Sequence, residues 1–511
     1  MTETNRPAEE KQGPTGSSFR QELRQFGSQG VIYAVGTMLM RLIGFVLVPV
    51  YTKHLPEESY GIYGILILVT QVVMTFLGLG LMNALFRHWA GAKDADAKRR
   101  LISTTVWSQT FMLFAGLGVF LLNPAWWSRI LLGSSQWGDF ILLAIGAGLL
   151  DMFLATPLGV VRMEERPGFY TTVMVVRTLI STVLAIYLVA WRDAGVMGVL
   201  EANLIGVLSA CVMVLPLVVR RCGWVVDIPL LKEMLPFGLW YVVGSTASLF
   251  LSMGDRYVLN YLVGLSAVGV YTLGHQLATT INVLGQSFLS AYLPMGLKRD
   301  VSVDGGRFVT KTLTYFALGL AWVGLGFSLF APEIVHLLAR NPGYYPALKV
   351  VPLLVLAAVL YVLAMGVDIS FFFAGRARYV TWSIVISAAL NVGLNFTFIP
   401  LFGLVGASLA AAIASAGRFA LSYHWAQRVY PLPYDVRRIL LVLAVAIAAH
   451  AVMLVPGAWW AIAGLKLLVT LAFPLVLWYA GFFTPFEQQE LRTGFLRALS
   501  YVGVRGETHV R

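Results

Sequence analysis

The sequence predicts an all-α integral membrane protein with about fourteen transmembrane helices: two pseudo-symmetric six-helix lobes followed by two further helices. Three observations predict it. First, 58% of the 511 residues are hydrophobic and only 12% are charged, with a mean hydropathy of +0.76, whereas soluble domains carry about 25% charged residues. Second, apolar stretches of about 20 residues recur from Val31 to Phe483. Each is long enough to span a bilayer, and none shows the short alternating pattern of a transmembrane barrel. Third, the chain repeats at a constant offset of 208 residues: Tyr33–Gly36 over Tyr241–Gly244, Tyr60-Gly-Ile-Tyr63 over Val268-Gly-Val-Tyr271, and Gly195-Val-Met-Gly198 over Gly403-Leu-Val-Gly406.

The elements follow in order. Residues 1–28 are a polar tail with Pro7, Gly13, Pro14 and Gly16 and no cleavable signal pattern. Within it, Ser17 to Gln29 places Phe19, Leu23 and Phe26 at i, i+4 and i+7, which fits a short helix lying on the inner membrane surface or a frayed tail. The N-lobe, 29–222, holds spans at 30–52, 61–85, 103–122, 138–160, 169–190 and 196–219. The C-lobe, 223–428, holds spans at 234–254, 268–293, 311–331, 350–373, 379–399 and 403–427. Residues 429–484 hold two more, at 438–456 and 459–482, and 485–511 form a second polar tail. Because each repeat has an even number of helices, both enter the membrane from the same side. That makes them parallel repeats related by an axis along the membrane normal, as in several transporters.

Charge orients the chain. Of 37 Lys and Arg, the segments on the N-terminal side of the membrane hold 27, the opposite loops hold 6, and four (Arg41, Arg177, Arg418 and Lys466) fall inside spans. The positive-inside rule therefore places both termini in the cytoplasm, and it accounts for the net charge of +12 without nucleic acid. Trp126, Trp127 and Trp137 flank an outer loop, as an interfacial aromatic belt requires. The two cysteines, Cys211 and Cys222, would stand about 16 Å apart on a continuous helix, too far for a disulfide. No metal-ligand spacing occurs, so neither a metal nor another cofactor is expected.

The stretches RLIGFVLVPVYTKHLPEESYGIYG (Arg41 to Gly64), GDRYVLNYLVGLSAVGVY (Gly254 to Tyr271) and LNVGLNFTFIPLFGLVGASLAAAIA (Leu390 to Ala414) resemble bacterial polysaccharide flippases of the Wzx type. These belong to the MOP superfamily, with the MATE exporters and the lipid II flippase MurJ. The resemblance runs from about residue 25 to 425. It implies two lobes arranged in a V, in the bacterial inner membrane. It also implies movement of an undecaprenyl-diphosphate-linked oligosaccharide from the inner to the outer leaflet for O-antigen, capsule or exopolysaccharide synthesis. Membrane lipids and a polysaccharide polymerase or export machinery are the implied partners.

Polar residues within the spans are the candidate site, because a charge in lipid must face protein, water or substrate. Arg41 costs roughly 2.5–3.5 kcal/mol at a helix centre, shares a stripe with Thr37 and Gly44, and reads as a cation lining a central cavity. Arginine suits a diphosphate because its planar fork binds oxygens in pairs and stays charged. The alternative is a structural partner for Asp151 or Asp368. Arg177 and Arg418 lie on similar polar stripes. Arg256 is expected either to contact substrate or to join Asp255 in an ion pair, mutual or across the lobes, that latches the outer gate. Ser245, Ser248 and Ser252 on the seventh helix, and His275, Thr279, Asn282 and Gln286 on the eighth, form rows that suit an aqueous cavity binding sugars, or helix–helix contacts. Asp151, Glu201, Asp368 and His275 are the candidates for coupling to a proton or sodium gradient or to the membrane potential. Lys466 and His450 fall outside the repeat and suit a scaffold, an interfacial role or a groove for a lipid tail.

Two rival functions compete. A MATE-like exporter of organic cations should offer acids to its substrate, where this chain offers arginines. A membrane enzyme of the same pathway needs positioned acid–base groups near an interface. Glu333, His336 and Arg340 are the nearest approach, and at helical spacing they read better as a surface helix.

Overall fold

The structure, a computed structural model, describes residues 36, 38–40, 43–89, 91–92, 94–298 and 303–489. Thr37, Arg41, the N-terminal tail and all of the C-terminal tail beyond 489 lie outside the described residues. Among those described, helix is the only regular structure.

The helices are α1 (residues 43–54), α2 (Glu57–Leu77), α3 (Leu81–Trp89), α4 (Ala95–Leu122), α5 (Pro124–Leu132), α6 (Gly138–Met163), α7 (Pro167–Ile186), α8 (Gly195–Arg221) and α9 (Ile228–Leu262). They continue as α10 (Leu265–Lys298), α11 (Val303–Leu329), α12 (Ala331–Leu338), α13 (Val351–Val367), α14 (Ile369–Phe373), α15 (Arg378–Phe402), α16 (Leu404–Val429), α17 (Val436–Ala449) and α18 (Trp459–Tyr479). Among the described residues, twelve helical segments are long and apolar enough to cross a membrane, and each falls on one of the fourteen expected spans. The first expected span is described only in part. The eighth is present as α10, but His275, Thr279, Asn282 and Gln286 make it too polar to count by composition.

Several boundaries differ from the expected ones. The span expected at 61–85 breaks after Leu77, where Leu79 (φ 50°) and Gly80 (φ 62°) adopt left-handed backbone before α3 starts. Two of the connecting loops contain short helices. Asn123 caps α5, its side chain accepting a bond from the Trp126 amide, with Pro124 in the first turn, where its missing N–H costs nothing. The second, α12, carries Glu333 and His336, both exposed, whereas Arg340 lies beyond its end, so the expected surface helix holds two of the three residues.

The 208-residue repeat is visible in the helix starts. The helices α2 and α10 begin at Glu57 and Leu265, one repeat apart. Gly195 and Gly403, which precede the body of α8 and α16, both have φ of 57°. A left-handed joint is cheap only for glycine, so the motif Gly-x-x-Gly marks the same sharp turn twice.

The described residues form two compact units, one of those up to 55 together with 65–246, the other of 56–64 together with those from 247 onward. In the first, α6 packs on α4 and α8, and α7 on α8. Leu154, Leu158, Val173, Ala210 and Val214 make one buried cluster; Leu81, Leu85, Ile102, Val160 and Met234 make another. In the second, α13 is the central helix, packed on α10, α11 and α16. Lipid tails are as apolar as leucine, so close packing rather than exclusion from water holds such helices together, and small residues at the contacts favour it. Along α16, Gly406, Ala407, Ala410 and Ala414 are buried. Along α10, glycines recur every eleven residues, on one face three turns apart. A methyl at Gly274, Gly285 or Gly296 would press on Val350, Val362 or Ile369 respectively. This stripe seats α10 against α13 and sets the direction of its polar face.

The last two helices belong to the second unit and pack on α11. Phe473, Leu477, Val442 and Leu329 form their shared core. Trp322 Nε1 donates to the Thr470 carbonyl at 2.6 Å, His450 Nε2 meets Ser328 Oγ at 2.7 Å, and Lys466 Nζ donates to Glu333 Oε1 at 2.7 Å. Lys466 and His450 are thus bound inside this helix group, which accounts for the buried lysine without a ligand.

Candidate functional site: a polar cavity and buried arginines

The polar rows of α9 and α10 meet in the second unit. A cavity of about 180 Å³ is lined by Ser248, Ser252 and Asp255 of α9, His275, Thr279 and Asn282 of α10, Tyr361 of α13 and Ser415 of α16. Five of the seven uncharged or histidine positions expected to line a lumen on these two helices therefore converge. Ser245 stands on the part of α9 that belongs to the first unit and is absent from the lining. Gln286 lies beyond the cavity, its amide donating to Met365 Sδ at 3.3 Å. The convergence follows from helical spacing: i, i+4 and i+7 share a face, and the glycine stripe turns that face of α10 toward α9 and α13.

At one end of the cavity sits a buried charge network. Arg256 is 3% exposed and Asp255 2%. The mutual form of the expected gate ion pair is not formed. Among the described residues no ion pair joins their side chains, because successive residues on a helix point about 100° apart. Asp255 instead accepts the Arg256 backbone N–H at 2.9 Å and the hydroxyl of Tyr271. The Arg256 guanidinium meets His275 Nδ1 at 3.1 Å through Nη2. Thr279 Oγ1 bonds the His275 carbonyl at 2.8 Å. Asn282 Oδ1 and Arg256 Nε have no protein partner, which leaves an acceptor and a donor for a polar guest or for water.

Two further expected arginines are held by expected coupling acids. Arg418, 1% exposed, donates from Nη2 to Asp368 Oδ2 at 3.0 Å, joining α16 to the end of α13. Its guanidinium also lies 4.4 Å from the ring centre of Tyr361, a cation–π contact. In the first unit, Arg177 of α7 grips Asp151 of α6 with both ends of its fork, at 2.5 and 2.6 Å. This pair is part-exposed, unlike Arg418–Asp368. Removing either partner of a buried pair strands a charge. Glu201 is half-buried on α8. Among the described residues no cluster of three His, Cys, Asp or Glu is placed to hold a metal ion.

The sequence pattern missed several participants. Tyr361 lies in a run of aliphatic residues and gave no signal. Tyr60 was visible only as part of the repeat; its hydroxyl bonds Gln276 Oε1 at 2.6 Å. Asn391 and Asn395, i and i+4 on α15, bond each other at 3.0 Å and are fully buried. Gln109 and Thr156 join α4 to α6 at 2.6 Å.

Comparison with known proteins sets this geometry in context. Residues 27–297, more than half of the chain, match the family described as polysaccharide biosynthesis protein. The chain belongs to that family. An uncharacterized membrane protein of Methanocaldococcus jannaschii is 22% identical over 405 residues, 72% of this chain and 77% of its own. The lipid II flippase MurJ in its inward closed conformation superposes with a TM-score of 0.70 at 13% identity, over 88% of this chain and 99% of that one. An inward-facing multidrug resistance MATE transporter of the MOP superfamily gives 0.64 at 15% identity, over 81% and 99%. This member of the polysaccharide biosynthesis protein family thus has the fold seen in those transporters.

Proposed function

We propose that the protein flips an undecaprenyl-diphosphate-linked oligosaccharide from the inner to the outer leaflet of the bacterial inner membrane, supplying a cell-surface polysaccharide. The observation that carries this reading is the family match over residues 27–297, joined to a fold shared with a lipid II flippase. The chemistry of the buried groups supports it. Arg256, whose Nε has no protein partner, and Arg41 from the sequence supply positive charge for a diphosphate. Arg177 and Arg418 are charge-paired with Asp151 and Asp368 and would act as donors, Arg418 through its unpartnered Nε and Nη1. Hydroxyls and amides around the cavity suit sugar hydroxyls. Both termini are read as cytoplasmic, and a polymerase or export machinery would receive the product.

The MATE structures among the fold neighbours keep an organic-cation exporter as the rival. Two of the described acids weigh against it, because Asp151 and Asp368 are each engaged by an arginine and so offer little to a cation. Asp255, by contrast, lines the cavity and is held by the Tyr271 hydroxyl and the Arg256 amide. We further propose that transport draws on a proton or sodium gradient or on the membrane potential, with His275, Asp151, Asp368 and Glu201 as the groups to test.

The deciding experiment is the sidedness of the lipid-linked glycan in cells depleted of this protein, read with an impermeant probe at the outer face before lysis. Glycan confined to the inner face supports flipping. Normal display at the outer face overturns it and brings the exporter reading forward. Repeating the assay while collapsing the proton, sodium and electrical gradients one at a time identifies the coupling.

A further inference from the structure

A second cavity lies in the first unit, where α3 ends and α4 and α9 begin, on the side that the basic-residue distribution assigns to the cytoplasm. Its volume is about 490 Å³, and its walls carry Arg87, His88, Arg100, Asp227 and Glu233. That size falls within the range of about 300–1,000 Å³ usual for ligand sites. The floor is apolar, with Leu101 and Leu230 set on the buried cluster of Leu81, Leu85 and Met234. Two fixed charges of each sign therefore line one space. Among the described residues Arg87 and Arg100 form no ion pair, and the Arg87 guanidinium rests over the Phe237 ring at 4.6 Å. The acids are held in place with capacity to spare. Asp227 Oδ1 accepts the Leu230 amide at 3.1 Å at the start of α9, and the Asp227 amide donates to Thr104 Oγ1 at 3.0 Å. Glu233 Oε1 stands 3.5 Å from His88 Nε2, whose ring is fixed by Nδ1 on the Ala84 carbonyl at 2.9 Å. The second oxygen of each carboxylate has no protein partner among the described residues.

We propose that this cavity binds the headgroup of a phospholipid carrying both a phosphate and an amine, the phosphate at Arg87 and Arg100 and the ammonium at Asp227 and Glu233. Arginine forks suit phosphate oxygens, and carboxylates accept the ammonium protons. A purely anionic headgroup would satisfy the arginines but confront two carboxylates, and a simple cation would confront two arginines. Like-charge contacts of that kind exclude wrong partners. Phosphoethanolamine sets its two charges only two carbons apart, so one short group meets both pairs. The surroundings favour a lipid over a soluble zwitterion. Flanking Asp227, Trp224 is 90% exposed and Val225, Val226 and Ile228 are exposed too, as is Phe86 beside Arg87. Apolar side chains bared next to a charged rim mark the membrane–water interface, where glycerol and the upper acyl chains would cover them. The linker between the repeats is also tied down here. The Gly223 amide donates to Ser103 Oγ at 2.7 Å, and Trp107 Nε1 donates to the Gly223 carbonyl at 2.8 Å. A headgroup touching α3, α4 and α9 adds a further tie at that joint, whatever the protein transports.

The test uses the purified full-length protein in detergent micelles supplied with equal amounts of phosphatidylethanolamine and phosphatidylglycerol, the bound lipid being counted by native mass spectrometry. The natural protein should hold phosphatidylethanolamine with an apparent Kd about tenfold below that for phosphatidylglycerol. Arg87→Gln with Arg100→Gln should weaken phosphatidylethanolamine binding by about tenfold, through loss of the charge-assisted contacts. Asp227→Asn with Glu233→Gln should instead reverse the preference, because two arginines then face a phosphate with no carboxylate beside it. Asn keeps the cap on α9, and Arg87, Arg100 and Glu233 are exposed, so both variants should unfold at the natural protein's midpoint in lipid-free detergent. A reversed preference is also a result that misfolding cannot imitate. Equal binding of the two lipids by the natural protein overturns the proposal. So does an unchanged preference in the acid-pair variant or undiminished binding in the arginine-pair variant. Soluble glycerophosphoethanolamine distinguishes the source: binding as tight as that of the whole lipid would assign the cavity to a free zwitterion and overturn the lipid assignment.

Discussion

Gly61 and Gly269 lie backbone to backbone, each filling the space in which the other would carry a side chain. They are 208 residues apart and occupy the same place in the two repeats. A self-complementary contact of this kind is what duplication of a single unit produces when both copies meet through the same surface. It also explains why Tyr60-Gly-Ile-Tyr63 and Val268-Gly-Val-Tyr271 keep a glycine at their second position, since any side chain there would strike a carbonyl.

Arg418 and Asp368 should behave as a unit. Replacing either alone strands a buried charge at a cost of about 3–5 kcal/mol. Arg418→Met or Asp368→Ala should therefore each lower the thermal unfolding midpoint of the purified protein in detergent. The double variant should be more stable than either single one. Additive losses would show that the pair is not coupled.

Arg177 differs because its pair with Asp151 is part-exposed. Arg177→Ala should lose glycan export at normal protein level, with a smaller change in unfolding midpoint than Arg418→Met. Retained export would make the pair purely structural.

Arg41 carries the strongest expectation from sequence. Arg41→Ala should insert and accumulate like the natural protein yet fail to export. Normal export at normal protein level would remove Arg41 from the substrate path.

Acidification should loosen the C-terminal end. Burial pushes the Glu487 carboxyl up, but the Thr484 amide and hydroxyl, the Tyr315 hydroxyl and Arg438 outweigh it and hold Glu487 below the ordinary carboxylate range. Thr484 and Glu487 bond each other reciprocally, the Thr484 amide donating to Glu487 Oε2 at 2.8 Å and the Glu487 amide to Thr484 Oγ1 at 3.3 Å. This is the geometry of a capping box. A depressed carboxyl stabilises the fold above its unfolded pKa of about 4.3, and that contribution disappears as pH falls through the folded value. Glu487→Gln should lower the unfolding midpoint at neutral pH and flatten its decline on acidification, measured by a thermal series across pH 3–6.

Much of the fold was legible from composition and period alone. Bilayer thickness dictates span length, and the absence of water dictates helix, so each of the twelve apolar spans declared itself. The constant offset exposed the duplication because small residues such as Gly61, Gly195 and their counterparts are needed at tight contacts whatever surrounds them. The rows Ser248–Ser252 and His275–Thr279–Asn282 could be placed on single faces because helical period links those residues locally. What only the tertiary structure decided is which of those groups meet. Arg177 takes Asp151, Arg418 takes Asp368, Arg256 turns to His275 rather than to its neighbour Asp255, and Tyr361 enters from an apolar helix. Such pairings depend on how helices distant in sequence are rotated and packed, a property of the whole assembly that no local pattern encodes.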